Sequence, residues 1–239
     1  MQQASSGVDV GPFQVLDVSS ADLVRHVVGL AIEEPNRPVT AFALHVGGLN
    51  HRGNIDFVAA MHDADVVYAD GGGVVWLARL AGATRVERAS TTDVGWDILH
   101  AFAAELGRPP RVALVGGSPG LAERAGAALA EAGAARVVAT EHGYHANWEA
   151  TLQRVSESRP DVMLVGLGAP NEMVWAQRWH DALPPGLILT CGGWFGSSPA
   201  TSDVLRRSCD VRGWSGSLGW PRRPRGWGRG TPTDCCPSR

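Results

Sequence analysis

Asp70 stands where a carboxylate can do chemistry. It closes the apolar run Asp65-Val66-Val67-Tyr68-Ala69 and precedes Gly71-Gly72-Gly73 and an apolar helical pattern. Ligands of open α/β sheets sit outside the carboxyl ends of the strands. A carboxylate placed there, beside backbone that only glycine lets approach so closely, can take the proton of a bound hydroxyl. The same residue can also be a plain N-cap for the helix that follows. The segment alone leaves both readings open.

Other segments offer groups for an anion or a sugar. Val112-Ala113-Leu114-Val115-Gly116-Gly117-Ser118-Pro119-Gly120 runs from a strand through a glycine-rich turn into a helix. Free amides at such a helix start favour a diphosphate, and tight strand-to-helix packing explains the glycines equally well. The segment is neither Gly-x-Gly-x-x-Gly nor a loop ending in Gly-Lys-Ser/Thr, so neither a dinucleotide nor ATP is indicated. Val162–Glu172 repeats the arrangement through Gly166-Leu167-Gly168-Ala169-Pro170-Asn171. Glu172 falls in the first turn of a helix, where it contacts a ligand or complements the helix dipole. In Glu87-Arg88-Ala89-Ser90-Thr91-Thr92-Asp93, Arg88 can pair with a phosphate, while Thr92 or Asp93 can cap. His142-Gly143-Tyr144-His145 follows a strand end and offers sugar- or base-contacting groups, or merely structural ones.

These residues need strands that end and helices that begin at the right places. Apolar runs predict strands at Val39–Val46, Asp65–Ala69, Arg111–Val115, Arg136–Thr140, Asp161–Gly166 and Leu187–Cys191. Helical periodicity covers Ser20–Glu33, Asn54–Asp63, Val74–Ala81, Asp93–Leu106, Pro119–Ala132, Asn147–Ser158 and Asn171–Ala182. Ser118-Pro119 reads as a capping hydroxyl before a first-turn proline, and Gly82, Gly107 and Gly133 as helix stops. Strands alternating with helices imply a parallel sheet covered on both faces. The pattern is regular through residue 195. From residue 196 onward the chain turns Arg-, Gly-, Pro- and Trp-rich without period and reads as irregular or disordered.

Composition excludes several classes. All 21 basic residues are Arg, which removes a phosphate-loop lysine, a Schiff-base lysine and a lysine base. Cys191, Cys209, Cys235 and Cys236 form no Cys-x-x-Cys pair, so reduced thiols and no structural zinc are expected. No apolar run approaches the ~20 residues that span a bilayer, and the first residues lack the pattern of a secretory signal; the expected location is the cytoplasm. Net charge is -3, but it is unevenly spread. Residues 206–239 hold eight Arg and two Asp, and residues 1–205 hold thirteen Arg against twenty-two acids. A basic tail of this kind meets a polyanion or is simply solvated.

In order along the chain stand Tyr-Ala-Asp-Gly at 68–71, Glu-Arg-x-x-x-x-Asp at 87–93, and Gly-Gly-Ser-Pro-Gly at 116–120. His-Gly-Tyr at 142–144, Pro-Asp-Val-Met-Leu-Val-Gly-Leu-Gly-Ala-Pro at 160–170 and Cys-Gly-Gly-Trp-Phe at 191–195 follow. This set resembles the WecG/TagA/CpsF family of bacterial glycosyltransferases, glycosyltransferase family 26, over about Val39 to Phe195. The resemblance implies a Rossmann-like α/β fold and inverting transfer, without a metal or other cofactor. The sugar would be of the N-acetylmannosamine type or a related one, moved from a UDP-sugar to a polyprenyl-diphosphate-linked acceptor. That chemistry serves teichoic acid, capsule or exopolysaccharide synthesis at the inner face of the membrane.

Carried over by position, the family's base falls on Asp70. The acceptor-side residues fall on Asn50, Arg88 and Asp93. The candidate donor contacts are Gly116, Gly117, Gly120, His142, Tyr144, Gly168, Pro170 and Glu172. Expected partners are the UDP-sugar and the lipid-linked acceptor, with the Arg-rich tail against an anionic membrane surface; nucleic acid is not expected, and an oligomer is compatible with the sequence. Two departures stand out. The family often reads Pro-x-Gln-Glu-x-Trp where this chain has Pro170-Asn171-Glu172-Met173-Val174-Trp175, and Gly196 replaces an Asp. The tail after Ser208 does not match and has the composition of a shifted reading frame in a GC-rich gene. The rival reading is a nucleotide-binding α/β domain without catalysis, a decayed paralogue.

The tail generates a prediction. Trp214, Trp220 and Trp227 accompany its eight Arg, and each basic residue near an anionic surface adds about 1 kcal/mol, screened by salt. Binding to anionic vesicles should therefore be salt-sensitive and should weaken when the chain is truncated after Leu205. Equal binding at low salt by full-length and truncated chains, measured by vesicle sedimentation, would remove the tail from the contact.

Overall fold

The computed structural model describes residues 7–197. Its strands are β1 (Gly7–Val10), β2 (Phe13–Leu16), β3 (Pro38–Leu44), β4 (Val66–Ala69), β5 (Arg111–Gly116), β6 (Arg136–Glu141), β7 (Val162–Gly166) and β8 (Gly186–Thr190). The last six form one sheet in the order β4-β3-β8-β7-β5-β6, and every neighbouring pair is parallel. The helices are α1 (Ser20–Glu33), α2 (Val46–Leu49), α3 (Ile55–His62), α4 (Gly72–Leu80), α5 (Thr91–Leu106), α6 (Leu121–Glu131), α7 (Trp148–Glu157), α8 (Asn171–Arg178) and α9 (Trp194–Ser197). This is the Rossmann-like α/β architecture that the alternating pattern implies.

Strand residues alternate between two cores. In β3, Phe42 and Leu44 join the cluster under α3, α4, α7 and α8, while Ala41 and Ala43 join the one under α1, α5 and α6. In β7, Met163 and Val165 face the first cluster and Val162 and Leu164 the second. Burial on both faces is why these strands read as unbroken apolar runs. Leu44, Leu114 and Leu164 are wholly buried, and each such side chain contributes about 1.5–3 kcal/mol. No helix of the described residues is long and apolar enough to cross a membrane.

Local chemistry sets the helix ends. The Ser19 hydroxyl accepts the Asp22 N–H at 3.1 Å, Asn54 Oδ1 that of Phe57 at 3.2 Å and Asn147 Oδ1 that of Ala150 at 3.0 Å. Each satisfies an amide that the helix itself leaves free. Gly107 ends α5 in the left-handed conformation at φ 64.

Several sequence expectations shift. α5 starts at Thr91 rather than Asp93, and its N-cap is Ser90 rather than Thr92 or Asp93. β3 stops at Leu44 rather than Val46, because His45 caps α2. α6 starts at Leu121 rather than Pro119. Gly120 is its N-cap, and Ser118 contributes its carbonyl to Leu121 N–H rather than its hydroxyl. α8 ends at Arg178, and His180–Ala182 tightens into a 3-10 turn. The antiparallel hairpin of β1 and β2 adds an element the sequence reading passed over; its cue was Gly11-Pro12 between Val8, Val10 and Phe13, Val15. The expectations for the tail at 198–239 lie outside the described residues.

Gly116 marks the tightest approach in the sheet. A Cβ there would sit 2.2 Å from the Gly166 carbonyl oxygen, at a φ of 143 that side chains rarely adopt. A Cβ on Gly133, at φ 67, would meet nothing within 4 Å. Gly116→Ala should therefore cost on the order of 3 kcal/mol or more, against roughly 1 kcal/mol for Gly133→Ala. Denaturant unfolding of the two variants gives the ranking, and equal losses would remove the close approach as a constraint.

Candidate active site

All six strands of the sheet deliver their carboxyl ends to one edge, where the chemically capable residues gather. Asp70 directly follows β4. It does not cap α4: Gly71 is the N-cap and no side chain caps it. The carboxylate is instead held from the side, with the Thr91 hydroxyl donating to Asp70 Oδ2 at 3.4 Å. The buried Tyr68 hydroxyl lies 2.7 Å from Thr91 Oγ1. With the Thr91 proton directed at Asp70, Tyr68 is the donor of that bond. Burial raises the Tyr68 pKa far above the usual phenol range, so it stays protonated. Burial also raises the Asp70 pKa, opposed by His45, by the Thr91 N–H and hydroxyl, and by Arg88. The result is a half-buried carboxylate with heightened proton affinity and unspent acceptor capacity.

His45 is the residue of this group that the sequence reading missed. It follows β3, whose end pairs with that of β4 through Leu44 and Ala69. Its Nδ1 accepts the Gly48 N–H at 3.3 Å, which ties the ring to the first turn of α2. The available signal was a histidine at the exit of an apolar run before Val46-Gly47-Gly48.

The loop that carries Arg88 is pinned by a second carboxylate. Asp17 accepts the N–H groups of Thr84, Arg85 and Val86 at 3.0, 2.8 and 2.7 Å. Burial pushes the Asp17 pKa up, but these donors outweigh it and hold it below its ordinary value. The Ala89 N–H then bonds the Ala69 carbonyl at 3.0 Å, so the loop lies along the β4 edge and ends at Asp70. Arg88 projects exposed from this loop. Asp93 is exposed in the first turn of α5, whose N-cap is Ser90. Asn50 is exposed at the end of α2.

In the middle of the edge, Gly117 N–H donates to the Gly166 carbonyl and Gly143 N–H to that of Gly117, at 3.0 and 2.8 Å. Gly116 and Gly117 thus stitch the ends of β5, β6 and β7, and Gly120 as N-cap leaves the start of α6 without a side-chain cap. Glu172 is almost wholly buried. Its Oε2 accepts the N–H groups of Leu167, Gly168 and Gly192 at 3.2, 3.0 and 3.0 Å. It braces the loop of Gly168 and Pro170 against the end of β8 rather than facing outward. The buried Cys191 thiol donates to the Val165 carbonyl at 3.2 Å.

His142 and Tyr144 stand apart. β4 and β6 are opposite edges of the sheet, five strand spacings or ~24 Å apart, so no single hydroxyl meets both Asp70 and His142. His142 stacks on His145 with centroids 4.0 Å apart, and His145 meets Trp148, which meets Trp175. Burial and the facing His142 lower the His145 pKa. Tyr144 is 75% exposed, and its N–H donates to His142 Nδ1 at 3.1 Å. An open groove lined by Gln14, Asp22, Arg25, His26 and Asp65 lies at the other end of the strands and holds none of these residues.

A parallel α/β sheet with a poised carboxylate at one strand end and uncapped helix starts along the same edge defines a group-transfer scaffold. The chain belongs to the glycosyl transferase WecG/TagA/CpsF family, whose sequence model matches residues 8–197. By that membership it is a glycosyltransferase of cell-surface polysaccharide synthesis, a class that joins a sugar donor to a lipid-linked acceptor. No curated protein matches the chain.

Glu172 generates a pH prediction. Burial pushes its pKa up to about 7 from an ordinary 4.5, and the three N–H donors offset this only in part. The folded state therefore holds the proton more tightly than the unfolded state. This stabilisation is full below the unfolded value and is lost as pH rises through the folded one. The shift corresponds to about 3 kcal/mol. Glu172→Gln keeps the acceptor oxygen and removes the titration. Its stability relative to the native chain should rise by about 3 kcal/mol from pH 4.5 to about pH 8. A pH-independent difference in denaturant midpoints would show that Glu172 does not titrate in this range.

Proposed function

We propose that the protein transfers an N-acetylmannosamine-type sugar, or a related one, from a UDP-sugar to a polyprenyl-diphosphate-linked acceptor, with inversion and with Asp70 as the base. The observation that carries this reading is the state of Asp70: at a strand end, half-buried, raised in proton affinity and not consumed by a helix cap. Asp70 removes the proton of the acceptor hydroxyl. The freed oxygen bonds the anomeric carbon from the face opposite the diphosphate, and the bond from that carbon to the UDP oxygen breaks.

The leaving diphosphate carries its charge toward the start of α8, with Gly168 and Pro170 shaping the approach, and Gly116, Gly117 and Gly120, one strand further along the edge, meet the rest of the donor. Arg88 projects next to Asp70, and Asn50 and Asp93 complete the acceptor side. His142 and Tyr144, at the far edge, serve the nucleoside end of an elongated donor. Glu172 supports the donor loop from beneath. The work of such an enzyme places it at the inner face of the cell membrane.

Asp70→Asn keeps the size of the side chain and removes its basicity. Transfer should fall by ~10² to 10⁴, with UDP affinity and melting temperature unchanged. In the native chain, transfer should rise with pH through a pKa above the ordinary carboxylate range, as the direction of the Asp70 shift requires. A variant retaining more than about half the native rate would exclude Asp70 as the base. UDP binding by a native chain that transfers no sugar from any UDP-sugar would instead make this a nucleotide-binding domain.

A further inference from the structure

We infer that the outer face of α4 is a membrane-docking surface, which seats the protein on an anionic bilayer with Asp70 at the lipid boundary. The inference rests on the lipid-linked acceptor proposed above for its purpose, but on different residues. α4 is an unusual surface helix. Its exposed positions are Gly72, Gly73, Trp76, Arg79 and Leu80. Those of α7 are Glu149, Ala150, Gln153, Arg154 and Glu157. A helix on the surface of a water-bathed domain normally turns its charged side outward, as α7 does. α4 turns outward an indole and an isobutyl group, 62% and 67% exposed, four residues apart and so on one face.

The apolar stripe continues to the site. Val46 is 53% exposed, and its Cγ2 lies 2.6 Å from where a Cβ on Gly73 would be. Val46, one residue beyond His45, therefore leans on the first turn of α4 at Gly73, three residues before Trp76 on the helix. The helix starts two residues after Asp70 and extends about 13 Å. A prenyl chain leaving an acceptor held at Asp70 finds this stripe beside it.

Charge and area select the occupant. Residues 71–86 contain Arg79 and Arg85 and no acid. Arg79 is exposed at the rim, with its guanidinium donating to the Val86 carbonyl at 3.2 Å, and Arg88 projects from the loop that follows. Arg85 is spent on Asp22 at 2.5 Å. Indole and leucine with Arg79 at their rim and no acid on the helix suit a headgroup boundary. Trp76, Leu80 and Val46 together can cover only about 400 Å², roughly half of what each partner in a stable protein dimer buries. A second copy of the chain is therefore a poor occupant.

The test uses the full chain and the double variant Trp76→Ser, Leu80→Ser, with Ile32→Ser on α1 as an exposed apolar control. Vesicles of phosphatidylcholine and phosphatidylglycerol are sedimented at low salt and at about 0.5 M salt, where attraction by the Arg-rich tail is screened. The double variant should bind on the order of tenfold more weakly at both salt levels, with unchanged melting temperature, while the control binds as the native chain does. Transfer to a water-soluble short-chain acceptor should be unaffected, and transfer to a vesicle-embedded long-chain acceptor should fall. Vesicle binding of the double variant equal to that of the native chain at high salt would overturn the proposal. So would a drop in sedimentation-velocity mass without loss of vesicle binding, which would assign the face to a second copy. If neither chain transfers sugar but vesicle binding still depends on Trp76 and Leu80, the docking surface stands and the catalytic reading fails.

Discussion

Parallel pairing is the constraint on which the rest of this molecule depends. A parallel sheet is covered on both faces, and each strand must return to the same starting edge through a helix. Every strand therefore ends on one side, and every return helix begins there. Asp70, His45, the glycines of β5 and β7 and the open start of α6 share an edge for this reason alone. They come from segments more than a hundred residues apart in the chain, His45 to Gly166, and no local interaction joins them. The glycine contact between β5 and β7 is the price of that closeness: two backbones meet with no room for a methyl group.

Three carboxylates show how environment assigns roles to one functional group. Asp17 and Glu172 each accept three backbone N–H groups, yet their proton affinities move in opposite directions. The donors win at Asp17 and the deeper burial wins at Glu172. Both are consumed as internal staples, one for the loop that carries Arg88 and one for the loop between β7 and α8. Asp70 lacks such a set of donors. It receives the Thr91 hydroxyl and N–H and the field of His45 and Arg88, which leaves it with capacity to bind a proton from elsewhere. The buried Tyr68 hydroxyl behind Thr91 fixes the direction of that hydrogen-bond chain. A site on this plan is organised by what the neighbouring acids are prevented from doing.

Much of the architecture was legible along the chain because its signals are short-range. Ser19, Asn54 and Asn147 each cap the helix their position announces, and α1 spans the predicted Ser20–Glu33. The six central strands read as apolar runs because both of their faces are buried. The reading faltered where a tertiary neighbour redirected the backbone. Ser118-Pro119 has the form of a helix start, but positive φ at Gly117 and Gly120 pushes the start to Leu121. The β1–β2 hairpin went unread because four-residue strands carry too little periodicity. Its stability comes instead from Phe13 and Val15 packing into the core beneath α3 and α4.

By itself the sequence determined the class of fold, the position of Asp70 at a strand end and, through its ordered motifs, the family. These depend on periodicity, on glycine and on spacing, all of which are written locally. Only the tertiary structure decided that Asp70 is free of the helix cap, that His45 stands beside it and that Glu172 points inward. It also decided that His142 lies at the opposite edge of the sheet and that Trp76 and Leu80 face out rather than in. Each of these depends on strand order, and strand order is set by which apolar faces bury one another across the whole chain. A carboxylate in sequence has a type and a position; its proton affinity and its partners exist only once the sheet has placed other strands beside it.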